Sequence, residues 1–182
     1  MRWARLFDDL DAQLEAAERA ERATESADLR RLEASRISLA ERLRGAVGAE
    51  ITLTVEGAAP LAGELRQAGG DWLLLDSAVN GETVVAMGAV LSVIGLAVGA
   101  APLGDAVDRR LGIGFLLRRL ARDRMPVTVV TRTSTPFTGT IDRVGADYLD
   151  LAEHNADQPR RAADVQRVRT IAFTAVAVVR PA

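Results

Sequence analysis

Residues 127–151 read VTVVTRTSTPFTGTIDRVGADYLDL. The stretch opens on alternation, with Val127, Val129 and Thr131 on one face of an extended chain. A turn carries Pro136. Residues 137–141, Phe-Thr-Gly-Thr-Ile, form a second strand, and Gly139 at its middle suits a sharp bend. Gly145-Ala146-Asp147 is a tight turn, and Tyr148–Leu151 is a third strand. Three short strands joined by turns mark a small β module.

The same punctuation stands 76 residues earlier, where residues 51–75 read ITLTVEGAAPLAGELRQAGGDWLLL. The match runs without a gap over 37–75 and 113–151. Ile37 meets Ile113, Arg42 meets Arg118 and Thr52 meets Thr128. Pro60 meets Pro136, Gly63 meets Gly139, Gly69 meets Gly145 and Asp71 meets Asp147. Trp72 and Tyr148 are an aromatic pair. Each copy is led by a helix, Ile37–Val47 or Gly112–Arg122. Beyond Leu75 the best offset is 75, which sets Val90, Val93 and Leu96 against Val165, Val168 and Ile171. The expected organisation is an N-terminal helix over 1–36, a first barrel with its leading helix over 37–98, a linker and helix start over 99–111, and a second barrel with its leading helix over 112–182. Asp105 or Asp108 is a suitable N-cap for the second helix.

Upstream, residues 3–45 lack proline and abound in Ala, Glu, Leu and Arg, which predicts a long helix. Trp3, Leu6, Phe7 and Leu10 make one apolar stripe, the candidate docking face for a partner. Glu15/Arg19 and Glu18/Arg22 are i, i+4 pairs on a solvated face. Asp8, Asp9 and Asp11 stand where a secretory signal would need an apolar core. Residues 83–103 carry no charge and are long enough to span a bilayer. Yet Gly88, Gly95 and Gly99 suit strands and corners better, and the matching part of the second copy holds Arg160, Arg161, Arg167 and Arg169. Two short strands meeting at a corner are therefore expected over 84–96, with membrane association through 83–103 as an alternative.

The pattern of both copies resembles the Sm-like fold, a helix followed by five bent strands forming a small barrel. The resemblance rests on Gly139, Ile141, Gly145, Asp147 and Tyr148, and on Gly63, Gly69, Asp71 and Trp72. It covers about two-thirds of the chain. It implies a mainly β chain of two tandem Sm-like or SH3-like barrels with helical attachments. RNA-reading Sm proteins use an Arg-Gly pair near the fourth strand. Val93-Ile94-Gly95 and Val168-Arg169-Thr170 take that place here, so that only Arg169 keeps part of it. The chain as a whole also resembles conserved actinobacterial proteins.

Composition narrows the function. With no cysteine, disulfide scaffolds, thiolate zinc sites and cysteine nucleophiles are excluded, and a reducing, cytoplasmic setting is expected. Every cation other than His154 is arginine. Residues 1–91 hold 10 Arg against 16 carboxylates, whereas residues 92–182 hold 13 against 9, so a polyanion would prefer the second half. The candidate nucleic-acid contacts are Arg160, Arg161, Arg167 and Arg169. No phosphate loop or nucleophile motif is present. His154 lies in Glu153-His154-Asn155, read as an exposed polar turn, and one histidine makes a poor zinc site. Asp71 and Asp147 are expected to cap their own turns. Trp72 and Tyr148 are expected in the core or at the helix–barrel seam. No enzymatic activity, cofactor or metal is expected. The leading expectation is a protein-interaction module that self-associates or docks a partner. The alternative is an RNA- or DNA-binding regulator using the second barrel.

Overall fold

The computed structural model describes residues 21–22, 31–32, 34–97, 99–101, 112–155 and 165–182. They fall into two compact units, one ending at Ser38 and the other running from Leu39 to Ala182. In the first, residues 21–22, 31–32 and 34–36 are helical. The expected helix over 3–45 does not run through: Ile37 and Ser38 are non-helical, and Ile37 N–H closes the last turn on the Ala34 carbonyl at 3.3 Å. Serine is a common residue at a helix start, and α1 follows it.

The second unit runs α1 (Leu39–Gly45), β1 (Glu50–Val55), β2 (Leu61–Ala68), β3 (Trp72–Ser77), β4 (Gly81–Ala86), a 3-10 turn at Met87–Ala89, and β5 (Val90–Ile94). It continues with α2 (Ile113–Asp123), β6 (Val127–Thr131), β7 (Pro136–Val144), β8 (Tyr148–Glu153), β9 (Arg167–Ala172), a 3-10 turn at Phe173–Ala175, and β10 (Val176–Pro181). All ten strands join one sheet in the order β5-β1-β2-β3-β4-β10-β6-β7-β8-β9, with every neighbouring pair antiparallel. The chain is mainly β. Among the described residues the sheet is open, and β5 and β9 are its two ends.

Alternation fixes the inner face. Ile51, Leu53 and Val55 of β1 are buried, as are Val127, Val129 and Thr131 of β6. The apolar core is one cluster that includes Leu43, Leu65 and Trp72 from the first half and Leu117, Leu151 and Ile171 from the second. Gly63 and Gly139 allow close backbone approach. A Cβ on Gly63 would run into the Asp76 carbonyl, and one on Gly139 into the Ala152 carbonyl. The bend itself falls a few residues on, at register shifts between Leu65 and Gln67 and between Ile141 and Arg143. Gly69 and Gly145 lie close to the rings of Trp72 and Tyr148, where a Cβ would collide with the aromatic.

The ladders of β1–β5 recur in β6–β10. Leu53 faces Val93, and Val129 faces Val179. Leu73 faces Val85, and Leu149 faces Ile171. The offset is thus 76 through β3 and 86 from β4 onward. This corrects the offset of 75 read from the sequence: Val90 corresponds to Val176, not to Val165. The second half simply has a longer connection, residues 154–166 against 78–80. The residues that follow the fourth strands are Met87-Gly88 and Phe173-Thr174, so Arg169 sits inside β9 rather than at an Arg-Gly position. Residues 81–94 form β4, the 3-10 turn and β5, as two strands meeting at a corner. No described helix is long and apolar enough to cross a membrane.

Candidate interaction edges

Two side chains depart from their expected roles. His154 is 3% exposed, not in an open turn. Its Nδ1 donates to the Asn155 carbonyl at 2.9 Å, because a carbonyl can only accept, and its Nε2 bonds the Thr140 hydroxyl at 2.8 Å. Thr140 is itself buried on β7. Asp71 does not cap its own turn with its carboxylate. Oδ1 accepts the Ile113 N–H at 3.0 Å and so satisfies an orphan donor at the start of α2. The backbone does the turn's work at both aspartates: the Asp71 carbonyl accepts Met87 N–H at 2.9 Å, and the Asp147 carbonyl accepts Phe173 N–H at 2.8 Å.

The expected arginine patch is largely occupied where it is described. Arg167 Nε lies 3.0 Å from Glu153 Oε2, and Arg169 Nε donates to Glu153 Oε1. The Arg169 guanidinium also stacks on the Phe137 ring, 4.0 Å from its centroid. Glu153 is only 13% exposed, so its bonds are sheltered. Arg160 and Arg161 lie outside the described residues, as do Trp3, Leu6, Phe7 and Leu10. A separate cluster on the first half holds Arg66 between Glu64, at 2.8 Å, and Asp76, at 2.9 Å. The Asp76 hydrogen bond, then the Glu64 charge, raises the Arg66 guanidinium above its ordinary value. Trp72 joins the core and Tyr148 is half-buried, so neither is laid out as an open stacking platform. Among the described residues, no group of three or more His, Asp or Glu could hold a metal ion.

What the fold leaves open is the two ends of the sheet. Among the described residues, β5 pairs only with β1, and β9 only with β8. An end strand presents a row of unpaired backbone donors and acceptors that a further strand can extend. On β5, Leu91 is 66% exposed and Ile94 69%, and the strand has no charge and no proline. On β9, Val168 is 59% exposed. Thr170 is exposed and donates to Asp150 Oδ1 at 2.6 Å. Leu91 and Ile94 were hidden in the sequence because 83–103 reads as one apolar run. Only the strand order shows which of its side chains lack a neighbour.

At the centre of the sheet the same two kinds of strand do meet. Val84 and Val85 of β4 face Val179 and Val178 of β10. All four are at most 5% exposed. Full burial of a valine contributes about 1.5–3 kcal/mol, so this short ladder is held mainly by its side chains. Around it, Arg132 donates to the Gly88 carbonyl and lies 3.4 Å from Glu56. Arg180 donates to Asn80 Oδ1.

No family model matches the chain, and no match is found among the curated proteins or the solved structures.

Proposed function

We propose that the chain is a non-enzymatic protein-interaction module, made of two copies of one small Sm-like unit behind an N-terminal helix. It self-associates or docks a protein along its strand edges, in the cytoplasm. The observation that carries this reading is the pair of end strands, each with one edge open among the described residues and with Leu91, Ile94 and Val168 exposed on them. Strand addition at such an edge gives affinity through main-chain hydrogen bonds and specificity through alternate side chains. The matched ladders of β1–β5 and β6–β10 support the two-copy reading. A nucleic-acid function has less support, because Glu153 engages both Arg167 and Arg169. Membrane association through 83–103 has less still, since residues 83–94 of that stretch form β4, a 3-10 turn and β5 within the sheet.

The test is a photo-crosslinking side chain placed at Leu91 and, separately, at Val168. Protein adducts are expected at both positions. Adducts that nuclease removes, or none at all, would overturn the reading. The A260/A280 ratio of the purified chain gives an independent check. Nucleic acid that co-purifies and is stripped by high salt would put the regulator reading first.

A further inference from the structure

The geometry points to a ligand site in a cavity between the two halves, which takes a carboxylate carried on a compact apolar body. The cavity has a volume of about 530 Å³, within the range of pockets that hold small molecules. No residue of β5 or β9 lines it. The site therefore stands or falls apart from the interaction-module reading.

Both copies of the repeat build its wall. The β1–β2 turn and the start of β2 bring Pro60 and Leu61, and the β6–β7 turn and β7 bring Ser134 and Pro136. Asn80 comes from the β3–β4 turn, and Val178 and Arg180 from β10. Pro60 and Pro136 are equivalent residues, so the two proline turns of the repeat converge on one space. Proline has a fixed φ and no N–H, so these turns offer a rigid apolar contact.

Arg180 is the one charged residue among those described that line the cavity. Arg66, Arg132, Arg167 and Arg169 each hold a carboxylate, whereas no carboxylate pairs with Arg180 among the described residues. Its backbone is half-buried and laddered to Thr128 of β6, and its Nη1 donates to Asn80 Oδ1. Its Nε and Nη2 have no partner among the described residues. A guanidinium tethered at one nitrogen and open at two others presents a fork of N–H donors that matches the two oxygens of a carboxylate. An anion there would also offset the cost of sheltering an unpaired cation. The equivalent residue of the first half is Ile94, laddered to Thr52 as Arg180 is to Thr128. The cation thus belongs to the junction and not to the repeat.

Ser134 adds a hydroxyl with no partner among the described residues. It holds a left-handed backbone, φ 63°, that glycine would hold without strain. Strained residues of this kind cluster at ligand sites. A lone cation suits one negative charge better than the two of a phosphate. No aromatic ring lines the cavity, so a nucleobase has nothing to stack on.

NMR titration of the isotope-labelled full chain with benzoate tests the site. Saturable shifts are expected at the Arg180 Nε–H and at the amides of Asn80 and Ser134, with a Kd of roughly 0.1–1 mM for so small a ligand. Benzamide has the shape without the charge, and inorganic phosphate the charge without the body. Each should bind at least about tenfold more weakly. Arg180→Gln should weaken benzoate at least about tenfold, and Ser134→Gly, which relaxes the turn, roughly threefold. Arg180→Lys keeps the charge without the fork and should fall between the unmodified chain and Arg180→Gln. Four results would overturn the site: benzamide or phosphate matching benzoate, shifts confined to other residues, no saturation below about 10 mM, or unchanged affinity in Arg180→Gln. Should Arg180→Gln fail to fold, Arg180→Lys and the benzoate–benzamide comparison still decide. Acetyl-alanyl-valine, as free acid and as amide, separates two sources of the carboxylate. Free acid binding more tightly than benzoate assigns it to the end of a protein chain, and weaker binding assigns it to a free organic acid. Loss of the site leaves crosslinking at Leu91 and Val168 unchanged, so the two readings fail separately.

Discussion

Asp71 links the two halves through one side-chain oxygen. Its carboxylate ends on the first N–H of α2, far along the chain. Asp71→Ala is expected to cost about 1 kcal/mol of stability, the usual worth of an N-terminal cap. Asp71→Asn should keep most of it. Chemical denaturation measures both, and faster hydrogen exchange at the Ile113 amide would place the loss at the helix start. His154 is the residue whose character the sequence hid most completely. Its neighbours Glu153 and Asn155 are polar, but its burial comes from Thr140, which β7 brings alongside. No local pattern encodes a partner on another strand. His154→Ala is expected to destabilise by about 2–4 kcal/mol, through a cavity and an orphaned hydroxyl. An exposed histidine would shift stability by about 0.5 kcal/mol at most, so the denaturation midpoint decides between the two placements.

Elements were more legible than residues. Strict alternation at Ile51, Leu53, Val55 and at Val127, Val129 placed β1 and β6, because one buried face imposes a period of two. The corner between β4 and β5 was also readable from its glycines. What failed was register beyond Leu75, where the longer connection between β8 and β9 moves every later residue by ten positions. A gapless shift cannot see an insertion whose flanks are similarly apolar. The paired glycines test the backbone geometry directly. Gly139→Ala puts a methyl group into the Ala152 carbonyl, and Gly63→Ala does the same at Asp76. Each is expected to lower stability by about 1–3 kcal/mol, the range for forced overpacking. Gly70→Ala, which meets open space, serves as the control.

At the scale of the whole molecule, one core cluster runs through both halves. Thermal unfolding is therefore expected as a single cooperative transition of residues 39–182. Val178→Asp would bury an unpaired carboxylate at the β4–β10 junction, a change that costs several kcal/mol. It should split the calorimetric trace in two as the halves uncouple; an unsplit trace would mean that the junction contributes little to cooperativity. The edges emerge only at this scale. Leu91 and Ile94 look like core in the sequence, and it is the position of β5 at the end of the order that leaves them open.

The strand order also sets a timetable. β10 supplies the neighbour that both β4 and β6 need, yet of the ten described strands it is synthesised last. At about 5–20 residues per second, the ribosome needs roughly 5–20 s to travel from Ala86 to Val176. For that interval Val84 and Val85 wait without a cover, and any nascent chain nearby offers the same strand. The seam at the centre of the finished sheet thus begins as a naked edge.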